Sequence, residues 1–115
     1  MCAVGDGLVT THDPEAVDTL SWIQDWYASQ CDGDWEHGYG IRVETLDNPG
    51  WSVKINLTDT DLQDEPFESV KIERSKNDWV HCRAEEGFWK GWGGPNNLEE
   101  VLISFRQWVE TVNSA

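Results

Sequence analysis

The sequence predicts an α+β fold: a two-layer domain with an N-terminal helix, an antiparallel meander of about five strands, and a C-terminal helix. Three observations predict it: an apolar stripe of helical spacing early in the chain, alternating apolar and polar residues in the middle, and a second helical stripe at the end. Helices with one apolar stripe and a sheet with one apolar face bury those surfaces by packing in two layers. A length of 115 residues suits one domain.

The first helix is predicted to begin after a short tail. Residues 1–12 are small and polar without a period, so we expect a flexible tail followed by a single domain over residues 13–115. Asp13 can cap a helix, and the proline and glutamate after it suit a first helical turn. The expected apolar stripe of this helix contains Ala16, Leu20, Ile23, Tyr27 and Cys31, and Trp22 and Trp26 widen it on one side.

Alternation of apolar and polar residues predicts the strands. Residues 39–44 and 51–57 alternate, and Asp47-Asn48-Pro49-Gly50 between them suits a type II turn, so the pair is expected to form a hairpin. Three further strands are expected at residues 67–74, 79–84 and 88–92. The last helix is expected after Asn97, because Asn97 and Glu100 have capping-box spacing before an apolar helical stripe.

The composition combines strong acidity with many aromatic residues. Asp and Glu number 22 against 8 Lys and Arg, which gives a formal net charge of -14 and a pI near 4.3. This charge argues against nucleic acid or an anionic membrane as a direct partner, because phosphate repels carboxylates. The 8 Trp, 2 Tyr and 3 Phe argue against a disordered chain.

The sequence also favours a cytoplasmic protein. It has no apolar run long enough to span a membrane, and its first residues do not resemble a signal peptide. Cys2, Cys31 and Cys82 are odd in number and widely spaced, so they do not suggest a disulfide framework. We expect reduced thiols in the cytoplasm.

The densest polar cluster is the segment from Cys31 to Gly40, which joins the first helix to the first strand. A thiol enzyme would need cationic neighbours around Cys31, whereas acidic residues follow it. A calcium loop starting at Asp32 would need Gly sixth and Glu twelfth, and His37 and Val43 stand there instead. Acid–base catalysis by carboxylates with His37 is a further alternative. We expect no catalytic residues, no metal and no cofactor.

A recognition surface is the interpretation that we favour for this cluster. Trp and Tyr are common interface anchors, and carboxylates supply charge complementarity. In the strand at residues 88–92, the two tryptophans point to opposite faces, so one of them is expected to be partly exposed. The predicted partner-binding residues are Asp32, Asp34, Trp35, Glu36, His37, Tyr39, Trp89 and Trp92.

Several long motifs resemble those of a known family. They are Trp22-Ile23-Gln24-Asp25-Trp26-Tyr27, the segment from Cys31 to Gly40, Leu46-Asp47-Asn48-Pro49-Gly50-Trp51, Asn77-Asp78-Trp79, and Gly93-Gly94-Pro95-Asn96-Asn97-Leu98. With them the chain resembles the immunity protein 53 family, bacterial proteins encoded beside polymorphic toxins. The resemblance runs from about Leu20 to Trp108.

The resemblance implies a protein that binds a cognate toxin and neutralises it, and the acidic charge suggests that it does so by covering the toxin's active site. The acidity suggests a basic toxin, such as a nuclease, and we expect no direct binding of nucleic acid or membrane. A monomer is favoured. Two alternatives stay open: a small-ligand or sulfurtransferase-like thiol enzyme using the loop from Cys31 to His37, and a carbohydrate-binding module using exposed Trp residues.

Overall fold

Two long helices and one five-stranded sheet make up residues 18–114, the part of the chain that a computed structural model describes. The predicted tail and the predicted helix start at Asp13 lie outside the described residues. In chain order the elements are α1 (Thr19–Gln30), α2 (Trp35–Gly38), β1 (Ile41–Leu46), β2 (Gly50–Asn56), β3 (Val70–Ser75), β4 (Asp78–Glu85), β5 (Phe88–Gly93) and α3 (Leu98–Ser114). The predicted α+β class, with two outer helices and five antiparallel strands, is confirmed.

The strand order differs from the predicted meander. The order is β1-β2-β5-β4-β3, with every neighbouring pair antiparallel, so β5 lies between β2 and β4. Alternate residues of β5 are buried, whereas β3 has only half-buried and exposed residues. A strand with a buried face is stabilised most at the centre of a sheet, and β3 suits an edge.

One face of the sheet is covered by α3, and α1 packs on α3. Phe105 of α3 lies at the centre of this layer, with its ring centroid 5.2 Å from that of Trp89 in β5. On its other side, Phe105 contacts Trp26 of α1 at 4.9 Å between ring centroids. The Trp108 indole N–H also donates to the Pro66 carbonyl at 2.8 Å, which fastens the connection between β2 and β3 to α3.

The buried face of α1 is rotated from the predicted stripe. Thr19, Ile23 and Trp26 are buried, whereas Leu20 is 63% exposed and Tyr27 is 38% exposed. The helix has turned its tryptophans toward Phe105 of α3, because the indole rings bury more apolar area than the leucine and tyrosine would.

The described start of α1 has a side-chain cap. Asp18 is the N-cap, and its carboxylate accepts a hydrogen bond from the Ser21 amide at 2.7 Å. This hydrogen bond lowers the pKa of Asp18. The helix that begins at Thr19 is therefore capped by the residue directly before it.

The predicted hairpin between β1 and β2 is confirmed, but its glycine has another role. Gly50 is the first residue of β2 and pairs with Leu46. A Cβ atom at Gly50 would lie 2.5 Å from the Gly93 carbonyl oxygen, so this position needs glycine for close approach to β5. Between β4 and β5, Glu86 and Gly87 both have positive φ, which suits a tight hairpin turn.

The start of α3 follows Asn97, as predicted, with a different hydrogen-bond arrangement from a capping box. The Asn97 side-chain amide donates to the carboxylates of Glu100 and Asp78, both at 3.0 Å. Arg74 also donates to both carboxylates. These hydrogen bonds, those from Arg74 foremost, lower the pKa of Asp78 and of Glu100, and they tie the β3–β4 hairpin to α3.

Candidate functional site

The acidic loop, which we define as residues 32–39, is held in shape by its own carboxylates. The Asp32 carboxylate accepts hydrogen bonds from the amides of Asp34 at 2.9 Å and Trp35 at 3.0 Å. The Glu36 carboxylate accepts from the amides of Asp32 at 3.0 Å and Gly33 at 2.9 Å. Gly33 has a φ of 97°, which a side chain would disfavour. The loop is thus preorganised before any partner arrives.

These hydrogen bonds also keep the two carboxylates charged. The bonds from the amides of Trp35 and Asp34 lower the pKa of Asp32. The pKa of Glu36 is lowered by hydrogen bonds from its own backbone amide and from those of Asp32 and Gly33. A carboxyl group with a lowered pKa is a poor proton donor at neutral pH. This arrangement suits charge presentation better than general acid catalysis.

Trp35 anchors the acidic loop to the core. Its side chain is 2% exposed, and its ring contacts those of Trp26 at 5.9 Å and Tyr27 at 5.7 Å between centroids. Trp35 is among the predicted partner-binding residues, but the structure buries its ring and leaves it almost no surface for direct contact with a partner. Trp35 can act only by holding the exposed residues around it in place.

The remaining residues of the acidic loop face solvent. Asp32, Asp34, His37 and Tyr39 are exposed, and Glu36 is half-buried. Tyr39 is 42% exposed, although its alternation with Ile41 had also allowed a place in the core. The loop therefore brings together one aromatic ring, one imidazole and the predicted carboxylates on one accessible surface.

Cys31 is exposed at the end of α1, where it does not have the surroundings of a reactive thiol. Its Sγ donates to the Tyr27 carbonyl at 3.3 Å, as in a helix-terminal hydrogen bond. A thiolate is favoured by cations or by a helix N-terminus, and Cys31 lies at a helix C-terminus beside Asp32. The other described thiol, Cys82, is buried, and burial raises its pKa to about 11.

The described part of the chain, residues 18–114, contains no group of three or more His, Cys, Asp or Glu side chains that could hold a metal ion. Two of the carboxylates in the acidic loop are already occupied by backbone amides, those of Asp32 and Glu36. Hydrogen-bonded carboxylates that point back at their own loop do not converge on a shared ligand position.

The two tryptophans of β5 lie on opposite faces of the sheet. Trp89 is 0% exposed and packs between Phe67 and Phe105 on the helix-covered face. Trp89 is also among the predicted partner-binding residues, and its buried ring likewise offers no surface for direct contact. Trp92 is half-buried on the other face, as expected for one of the pair, and the Arg83 guanidinium lies 5.0 Å from its ring centroid.

The face of the sheet away from the helices, which we call the open face, carries residues that the sequence had not marked. Arg42, Lys54, Lys90 and Arg83 are direct cross-strand neighbours in that order across β1, β2, β5 and β4. The sequence places them at polar positions of alternating strands. However, their alignment depends on the strand order, which no local pattern reveals.

The open face borders the acidic loop. A groove of about 270 Å³ runs between the end of the loop, at Tyr39, and Arg42, Lys54 and Phe88 of the sheet. The last residues of the acidic loop and the cations Arg42 and Lys54 therefore line the same groove.

Comparison with known proteins points to a family. The family model described as immunity protein 53 matches residues 20–110, which is most of the chain. No curated protein and no solved structure gives a significant match. The matched region includes α1, the acidic loop, the whole sheet and most of α3. The chain therefore belongs to the immunity protein 53 family.

Proposed function

We propose that this protein is a non-catalytic inhibitor that binds one cognate toxin and neutralises it by covering a basic active site. Family membership implies a toxin partner in general. The net charge of -14 suits a toxin with a basic cleft, and a nuclease is one class with such a cleft. In this proposal the protein acts as a monomer in the cytoplasm of the producing cell.

The acidic loop is the proposed contact with the basic site. The single observation that carries this assignment is the fixed geometry of the loop: Asp32 and Glu36 bind backbone amides, while Asp34, His37 and Tyr39 are exposed beside them. A preorganised loop loses little conformational freedom on binding, so more of its interaction energy contributes to affinity. The surroundings of Cys31 and the engaged carboxylates make a thiol or acid–base enzyme the weaker proposal.

No specific observation favours the carbohydrate-binding alternative. A sugar-binding platform needs open ring faces on the surface, whereas Arg83 lies over the Trp92 ring. Trp22 lies against Phe105 in the helical layer, with Arg106 over its ring. The rings of Trp92 and Trp22 are thus engaged by the protein's own side chains.

The test is co-purification with the toxin encoded by the neighbouring gene, followed by association rates at two salt concentrations. We expect a one-to-one complex whose association slows as salt rises, because electrostatic steering is screened. Asp34→Lys should slow association further, and Asp25→Lys on α1 is the control with the same charge change. A complex that forms equally fast at both salt concentrations would contradict the electrostatic part. Absence of any complex would contradict the proposed function.

A further inference from the structure

The cations of this acidic protein are concentrated on the open face. Five of its eight Lys and Arg residues lie there, by the alternation and register of the strands. They are Arg42, Lys54, Lys71, Arg83 and Lys90. Four of them form the cross-strand row described above, which we call the cation row: Arg42, Lys54, Lys90 and Arg83.

The cation row places like charges beside one another, and the Glu85 carboxylate contacts two of the four cations. Like charges placed directly opposite each other destabilise a sheet, and the row contains three such pairs in succession. The chain has 22 acidic residues, so carboxylates are abundant enough to have stood between these cations. An arrangement that opposes stability in this way is typical of a binding surface.

The side chains of the row are held in place by their surroundings. The Lys54 ammonium lies 4.3 Å from the centre of the Phe88 ring, and Arg83 lies over Trp92. Glu85 contacts both Arg83, at 2.6 Å, and Lys90, at 3.6 Å. Two of the four cations, Lys54 and Arg83, thus lie over aromatic rings, and Glu85 contacts the Arg83 and Lys90 end of the row.

We propose that the cation row is a second docking surface, which binds an acidic segment of the toxin through its carboxylates. This inference rests on the proposed function, since it assigns the same toxin a second point of contact. The groove at Tyr39 joins the row to the acidic loop, so one partner can contact both. Two adjoining surfaces of opposite charge fix the orientation of that partner, because a reversed complex would oppose like charges.

Carboxylates of a protein suit this surface better than a nucleic-acid strand does. A strand would need open ring faces on which to stack its bases, and cations already lie over Phe88 and Trp92. Glu44 and Glu73, at polar positions of the two edge strands, would repel a continuous phosphate backbone. The net charge of -14 opposes a long polyanion as well.

The experiment uses the full-length protein and the toxin encoded by the neighbouring gene. A carbodiimide joins lysine amines directly to carboxylates that touch them. We expect cross-links from Lys54 or Lys90 to Asp or Glu of the toxin, identified by mass spectrometry. Intermolecular cross-links confined to Lys76, which lies in the turn between β3 and β4, would overturn the inference.

Matched charge reversals measure how much the cation row contributes to the affinity for the toxin. Lys54→Glu should weaken toxin binding at least about tenfold, because it sets like charges against each other in the complex. Lys76→Glu makes the same change in net charge outside the row and should alter affinity less than about twofold. Circular dichroism of both variants verifies that they fold. Equal affinity for Lys54→Glu and the parent would overturn the inference but leave the proposed function standing.

Two further outcomes are decisive. If no complex forms with the parent protein, both the inference and the proposed function fail. A single-stranded oligonucleotide of about 20 nucleotides serves as the competing probe. Oligonucleotide binding that Lys54→Glu abolishes, and that competes with the toxin, would overturn the choice of a carboxylate partner.

Discussion

The two faces of the sheet differ in how far the residues on them contribute to the stability of the fold. The helix-covered face consists of buried side chains such as Val53, Ile55, Val80 and Trp89, each in contact with the core. The open face carries like charges side by side in the cation row. Burial on the first face lowers the free energy of the folded chain, whereas repulsion between the like charges of the cation row raises it.

Within a single strand, the residues on one face stabilise the fold, and those on the other face are proposed to bind a partner. In β5, Trp89, Gly91 and Gly93 face α3, while Lys90 and Trp92 face outward. Neighbouring residues of one strand thus have opposite roles, and substitutions at them are expected to have different effects. The predictions below test that separation, from the largest effect to the smallest.

The largest expected effect is on the covered face, at Trp89. Trp89→Ala removes a ring that is 0% exposed and is expected to lower the free energy of unfolding by about 3–5 kcal/mol. Trp92→Ala, in the same strand on the open face, is the matched control with a clearly smaller loss. Urea unfolding followed by circular dichroism measures both. Equal losses would contradict the assignment of the two faces.

Gly91 tests how tightly α3 lies on the covered face. A Cβ atom there would lie 2.5 Å from Cγ1 of Val101 and 2.7 Å from Cη2 of Trp89. Gly91→Ala is therefore expected to lower the free energy of unfolding by about 1–3 kcal/mol. Gly38→Ala is the control, because no atom lies within 4 Å of its Cβ position. A stabilised Gly91→Ala variant would show that α3 packs less closely.

Lys90 tests the open face, where we expect a substitution to raise the free energy of unfolding rather than lower it. Lys90→Met keeps the apolar stem and removes the charge between Lys54 and Arg83. We expect the relief of repulsion by these two cations to outweigh the loss of the 3.6 Å contact with Glu85, so that the free energy of unfolding rises by about 0.5 kcal/mol. The gain should shrink as salt is added, since salt screens the repulsion. Lys76→Met, outside the row, should leave stability unchanged. A loss of stability in Lys90→Met would show that the row is not repulsive.

The smallest expected effect on the free energy of unfolding is at Asp32 in the acidic loop, and it is detected by its dependence on pH. The lowered pKa of Asp32 means that its charged form stabilises the folded protein above the ordinary pKa of about 4. This contribution is lost as the pH falls through the lowered value. Asp32→Asn should therefore reduce stability at pH 7, and its difference from the parent should close in acid. Asp25→Asn on α1 is the control, and a gap that persists in acid would contradict the assignment.

The sequence predicted the elements of the fold better than their arrangement. Alternation located β1 and β2, and the helical stripe after Asn97 located α3, because these patterns are local. The central place of β5 was missed, since it depends on which strand gains most from burial. The rotation of α1 was missed because packing against Phe105 favoured Trp22 and Trp26 over Leu20.

The same limits apply to the candidate site. The exposed carboxylates and Tyr39 were predictable from a polar cluster between two periodic segments. The burial of Trp35 and Trp89 was not, because only tertiary contacts decide which aromatic rings are covered. The cation row could not have been found without the strand order: in a simple meander, Lys90 would not lie between Lys54 and Arg83.

The central position of β5 also sets the order in which the protein can be completed during synthesis. Among the described strands, the hairpin of β1 and β2 and the hairpin of β3 and β4 are joined only through β5, which is the last strand in the chain. A nascent chain that has not reached Phe88 therefore holds two hairpins without a shared sheet. The chain must therefore be synthesised through β5 before either face of that sheet exists.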